Sequence, residues 1–147
     1  MNAFKNIVIF DIDGTLADCS DRVRHLRTKP KRWDRFFAEM ASDVPNAALV
    51  AVYRSLHAAE YRIFLFTGRL KEHRPITEKW LEQHSLPYHE LRMRRDGDRR
   101  QDTEAKRKML TDGEVDQVLI IFEDRSQMVG LWRSLGITCV QVDEGDF

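Results

Sequence analysis

The sequence predicts an α/β, doubly wound fold built on a mainly parallel five-stranded sheet, and three observations predict it. Four short apolar runs are continuous rather than alternating, as strands are when helices cover both faces of their sheet. Helical patterns separate those runs, which is the rhythm of strand–helix crossovers. Polar residues gather where the runs end, and ligands of open α/β sheets bind outside the carboxyl ends of the strands.

The first run, "NIVIFDI" (6–12), brings Asp11 and Asp13 to its end. The stretch from Cys19 to Pro45 then breaks the rhythm with "DRVRHLRTKPKRWDRFFAEM". Its first half is strongly basic, and in its second half Trp33, Phe36, Phe37 and Met40 fall at helical spacing. A small helical, cap-like insert at about 19–45 is therefore expected, its aromatic side chains packed on the sheet; stacking on a nucleobase is the alternative.

"NAALVAVYRSLHAAE" (46–60) places Leu49, Val52, Tyr53 and Leu56 on one helical stripe. The second strand, "YRIFLFTG" (61–68), delivers Thr67, Gly68 and Arg69. "RPITEKWLEQHS" (74–85) has Pro75 in the first turn and stops before Pro87. The weaker run "HELRMR" (89–94) supplies the fifth strand, and "DTEAKRKML" (102–110) is a helix with Asp102 as N-cap candidate. "VLIIFED" (118–124) ends on Glu123 and Asp124. The last helix, 124–136, closes on Gly136 before the strand "GITCVQV" (136–142).

A length of 147 residues with 42% hydrophobic content is enough for one domain, 1–147, with a core. The 24 basic and 24 acidic residues cancel, so attraction to a polyanion must come from local patches. The run Ile7–Phe10 is too short for a secretory signal and no window reaches transmembrane length, so a cytoplasmic protein without membrane contact is expected. Cys19 and Cys139 lack metal-ligand spacing and are expected as reduced thiols. The five histidines likewise show no ligand spacing.

Two unit charges about 4 Å apart repel by about 4 kcal/mol at an effective dielectric near 20. Asp11, Asp13, Glu123 and Asp124 converging on one crevice therefore call for a cation, and oxygen-only ligands of this kind suit Mg²⁺. A carboxylate left free for chemistry can accept a phosphoryl group as an aspartyl-phosphate.

"DIDGT" (11–15), the Thr of "FLFTGR", a Lys in a later helix and the acid pair after "VLIIF", in that order, resemble the four motifs of the haloacid dehalogenase superfamily of phosphohydrolases. The segments 11–22, 93–110 and 124–147 are similar to the 3′-phosphatase domains of bacteriophage polynucleotide kinase-phosphatases. No GxxxxGK[ST] loop accompanies them, so the kinase activity is not expected. The resemblance implies Asp11 as nucleophile and Asp13 as general acid, then general base. It implies that Thr67 binds a phosphoryl oxygen, that Gly68 lets the backbone come close, and that Lys106 neutralises charge. Asp11, Asp124 and the backbone carbonyl of Asp13 would hold Mg²⁺. Arg22, Arg69, Arg94, Asp102 and Arg125 match functional or supporting positions. Glu123 departs from the phage pattern of paired aspartates, which leaves two roles open: holding a metal-bound water, or supporting Lys106 or Arg125.

Segment 92–108 holds eight basic residues against four acidic, and segment 22–35 seven against one. Both would flank the crevice and favour a polyanion. The insert is too short for a bulky lid, which leaves room for a polymer end. The expected partner is thus a phosphorylated nucleic-acid end, with removal of its 3′-phosphate; a free nucleotide or other small phosphomonoester is the alternative. A phosphate-binding module without catalysis would be favoured by loss of Asp13, which is present; a receiver-like module uses similar residues, but there the acceptor Asp sits on a middle strand. Here Asp-x-Asp is on the first.

Overall fold

The structure is a computed structural model that describes residues 4–147. Its strands are β1 (Ile7–Phe10), β2 (Ala17–Asp18), β3 (Val44–Pro45), β4 (Arg62–Leu70), β5 (Glu90–Arg94), β6 (Val118–Glu123) and β7 (Cys139–Gln141). Its α-helices are α1 (Ser20–Val23), α2 (Trp33–Ala38), α3 (Ala47–Ala58), α4 (Arg74–Gln83), α5 (Asp102–Arg107), α6 (Asp112–Val115) and α7 (Ser126–Ser134).

Five strands form one parallel sheet in the order β5-β4-β1-β6-β7. The fifth strand expected at 89–94 is present, at the edge. β1 is central and all four of its residues are buried. Its side chains alternate between two cores: Val8, Phe10 and the following Ile12 pack with Val50, Tyr53, Trp80 and Leu81 of α3 and α4. Ile7 and Ile9 pack instead with Leu110 and with Met128, Val129 and Trp132 of α7. A strand buried on both faces explains the unbroken apolar run.

Local chemistry sets the helix ends. The Asn46 side chain accepts from the amides of Ala48 and Leu49 and so starts α3. Pro75 sits in the first turn of α4, and Thr111 with Glu114 makes a capping box at α6. β1 ends at Phe10, two residues before the apolar pattern does, because the chain turns at Ile12.

Register decides where the polar residues emerge. Phe10 lies opposite Leu65 of β4 and Phe122 of β6, so Asp11, Thr67 and Glu123 leave the sheet at the same edge. The β4–β5 pairing slips between Thr67 and Leu70, a bulge that lifts Gly68 and Arg69 out of the ladder.

The antiparallel pair β2–β3 ties together the two ends of the segment 19–43. That segment departs from expectation: its aromatics do not pack on the sheet. Phe36 joins Cys19 and Leu26 in a separate small core, against which Val23, Phe37 and Phe147 lie. The two-residue ribbon carries the segment past the sheet edge, where the rings find one another instead of the strands. Cys19 and Cys139 are buried free thiols. No helix among the described residues is long and apolar enough to cross a membrane.

Candidate active site

The first group to leave β1 is the Asp11 carboxylate, which shares the parity of Ile7 and Ile9 and therefore faces α5. There it accepts from Lys106 Nζ at 2.6 Å, and its other oxygen accepts from the Thr15 hydroxyl at 3.3 Å. Lys106 is buried and also donates to Glu123 Oε2 at 3.0 Å. The second Glu123 oxygen accepts from the amides of Asp124 (3.1 Å) and Arg125 (3.4 Å). Glu123 thus props Lys106 and fixes the chain after β6. Lys108, its neighbour in the sequence, is not part of this cluster.

The turn 12–17 wraps the site. Ala17 and Thr15 amides both donate to the Ile12 carbonyl, and Gly14 takes a φ of +83°, where a side chain would be strained. A Cβ at Gly14 would also collide with the Asp124 carboxylate, as would one at Gly145. Asp124 is therefore cradled between two glycines that admit nothing larger. Both of its oxygens are buried without a hydrogen-bond partner. An orphaned buried carboxylate is costly unless a cation joins it.

One oxygen from each of Asp11, Glu123 and Asp124 lies within 4.8 Å of the others, a spacing and donor set that fit a hard divalent ion. The oxygens of Asp11 and Glu123 already accept protein hydrogens, whereas both Asp124 oxygens are free of them, so Asp124 is the donor of the three with most capacity to spare. Burial, then the repulsion of Glu123, pushes the Asp11 carboxyl up; burial and then Asp11 push Asp124 up further. Burial opposes the Lys106 ammonium, yet Asp11 and Glu123 hold it protonated. One fixed cation does not neutralise three carboxylates.

Asp13 lives in a different field. Burial would raise its pKa, but Arg69 and then Arg22 overcome that and hold it well below the usual carboxylate range. Arg69 Nη2 lies 2.7 Å and Arg22 Nη2 2.8 Å from Asp13 Oδ1. A second buried carboxylate, Asp43, grips Arg22 through Nε (2.7 Å) and Nη2 (2.5 Å) and lies 3.6 Å from Arg69. Arg22 also stacks over the Phe36 ring at 4.3 Å. Asp43 carries no motif and is found only by folding, since its partners Arg22 and Arg69 lie 21 and 26 residues away in the sequence.

These groups open into a cavity of about 440 Å³. It is lined by Asp11, Asp13, Thr67 and Gly68 from the strand ends, by the charged groups of Arg94, Arg99, Asp102, Lys106 and Arg125, and by the apolar side chains of Trp33, Phe36, Phe37, Leu70 and Phe147. Asp102 is a strut: it accepts from Arg94 at 3.3 Å, lies 3.7 Å from Arg125, and would touch any Cβ placed at Gly68. The Thr67 hydroxyl accepts from the Arg69 amide at 3.1 Å. Arg22 and Arg69 do not line this cavity; they stand behind Asp13, each about 1% exposed. Asp124 faces a neighbouring cavity of about 840 Å³, shared with Gly14, Gly145 and Phe147. The segment 143–147 is a wall the sequence does not announce. It is held by Gly145 N to Asp124 O (3.2 Å), Arg125 to Phe147 O (2.8 Å) and Ser126 to Asp146.

A family model described as the polynucleotide kinase PNKP phosphatase domain matches residues 5–147. Two solved structures of a Pnkp1/Rnl/Hen1 complex, one described as an RNA repair complex, contain chains 27% identical to this one. One match covers 100% of this chain and 49% of the other at a TM-score of 0.83; the second covers 98% and 44% at 0.80. The chain thus spans about half the length of those two proteins. A predicted phosphatase from Clostridium acetobutylicum, 14% identical, shares the fold over 95% of this chain and 85% of its own at a TM-score of 0.70.

The Asp124 cradle makes a prediction. A carboxyl whose pKa is raised in the folded state costs stability as pH climbs above its unfolded value near 4, and asparagine mimics the protonated form. At pH 7.5 without metal, Asp124→Asn should melt about 2–4 °C or more above the wild type, corresponding to about 1 kcal/mol or more. Mg²⁺ should stabilise the wild type and leave the variant unmoved. Thermal melts with and without Mg²⁺ check this, and a destabilised variant still raised by Mg²⁺ would contradict it.

Proposed function

The chain belongs to the family of PNKP phosphatase domains, phosphatases of the haloacid dehalogenase type, and we propose that it removes 3′-phosphates from nucleic-acid ends through an aspartyl-phosphate on Asp11. The observation that carries this reading is the buried Asp11–Lys106 pair, 2.6 Å apart, in a cavity also lined by Arg94, Arg99 and Arg125.

Asp11 attacks phosphorus while Lys106, held by Glu123, keeps the carboxylate aimed and offsets charge on the phosphoryl group. Thr67 and the backbone at Gly68 take the phosphoryl oxygens, with Asp102 bracing Gly68 and the two arginines. Asp13 stands beside Asp11 to hand a proton to the departing oxygen and then to draw one from the hydrolytic water. Asp11, Asp124 and the carbonyl of Asp13 are the groups that would hold Mg²⁺, and Glu123 would lie behind them. When bound, the ion supplies positive charge that offsets both the carboxylates and the phosphate.

The arginine clamp has a consequence for pH. Because Arg69 and Arg22 keep Asp13 ionised, the resting enzyme is set for the second half-reaction and lacks the proton needed for the first. A phosphomonoester monoanion brings that proton with it, and its second ionisation lies at about pH 6. We therefore expect kcat/KM to fall about tenfold per pH unit above that ionisation. A kcat/KM that is flat from pH 6 to 9 would show that Asp13 recovers its proton by another route.

The substrate is tested by phosphate release from a 3′-phosphorylated oligonucleotide, its 5′-phosphorylated twin and a 3′-mononucleotide. The 3′ oligomer should be turned over well above the others, only with a divalent ion, and Asp11→Asn should lose about 10⁴-fold or more. Equal turnover of the mononucleotide would assign a general nucleotidase, and no release from any of them would remove the phosphatase reading.

A further inference from the structure

Phosphoryl chemistry uses charged and polar groups, yet aromatic rings also line the site cavity. Trp33 and Phe37 are one helical turn apart on α2, so both rings fall on the same face, while Phe36 turns into the small core. Their centroids are 5.9 Å apart with planes 24° from parallel, an offset stack. His73, from the turn before α4, stacks on Phe37 at 5.0 Å and 29°. Phe36 meets both rings edge-on, at 5.7 Å to Trp33 and 5.3 Å to Phe37, and so braces them. Trp33 is 40% exposed, and the Lys31 ammonium lies 5.7 Å from its ring centroid.

We propose that Trp33, backed by the Phe37 ring, is a stacking platform for the terminal nucleobase of the substrate, an inference that rests on the nucleic-acid reading above. Both rings line the cavity that also holds Asp11 and Lys106, so a phosphate at Asp11 leaves its nucleoside beside them. The cavity, at about 440 Å³, is small for a ligand pocket and suits one terminal nucleotide rather than an extended stretch. Stacking accepts any base, because every base has a π-face. The platform would read the presence of a base without reading its identity.

The test pairs a 3′-phosphorylated oligonucleotide with the same oligomer ending in an abasic 3′-phosphate. Wild type should show a KM about 5- to 100-fold lower for the base-bearing end. Trp33→Ala should raise that KM toward the abasic value, keep kcat, and leave the abasic KM unchanged; Trp33→Phe should restore most of the preference. Because Trp80 and Trp132 are about 1% exposed, Trp33 dominates quenching by ligand. In Asp11→Asn the base-bearing oligomer should therefore quench tryptophan fluorescence and the abasic one should not. Equal KM for both ends in the wild type overturns the platform while the phosphatase reading stands. No phosphate release from either end, with no quenching, overturns both.

Discussion

Too many carboxylates meet at the end of β1, and the site is organised by how each is neutralised. Asp11, Glu123 and Asp124 are buried within one small volume, and Asp13 lines the same cavity as Asp11. Like charges this close repel by about 4 kcal/mol per pair at an effective dielectric near 20. The chain answers with two kinds of built-in cation. Lys106 is shared between Asp11 and Glu123, and the Arg22–Arg69 pair is shared between Asp13 and Asp43. Asp124 is left with neither, in a slot where Gly14 and Gly145 exclude any side chain. A divalent ion is the cation that would complete this arrangement.

The fold supplies the convergence at little cost. The parallel registers of β4, β1 and β6 bring three chain ends to one edge, and the bulge after Thr67 turns Gly68 toward Asp102. The β2–β3 ribbon carries Arg22 and Asp43 in from opposite ends of one inserted segment, so that segment both closes the back of the site and presents Trp33 and Phe37 at its front. Separate duties therefore fall on neighbouring residues of α2: Phe36 is buried and packs against Arg22, while Trp33 is exposed beside the cavity.

Much of this was legible because backbone periodicity and strand-end placement are local properties. The apolar run 6–12 located β1 and its carboxylates, and the alternation of strands and helices located the sheet. Lys106 was separable from Lys108 only by resemblance, since helical phase over a six-residue helix does not say which face is buried. Asp43 left no trace, because its partners are distant in the chain and an isolated acid before a short strand looks like any turn residue. The aromatic spacing of α2 was readable, but not the surface it packs against: amphipathicity gives a face and not its neighbour. Gly145 and Phe147 were hidden because their partners, Asp124 and Arg125, are 21 and 22 residues away in the chain.

The central claim is that Asp11 becomes phosphorylated. Rapid quenching of the enzyme during turnover, treatment with borohydride and peptide mass analysis would reveal it, because borohydride reduces an acyl phosphate at Asp11 to homoserine. Homoserine is expected at position 11, dependent on substrate and divalent ion, increased in Asp13→Asn with an aryl phosphate that needs no acid to depart, and absent in Asp11→Asn. Full phosphate release with residue 11 never modified in either background would mean that water attacks phosphorus directly and that Asp11 is not the nucleophile.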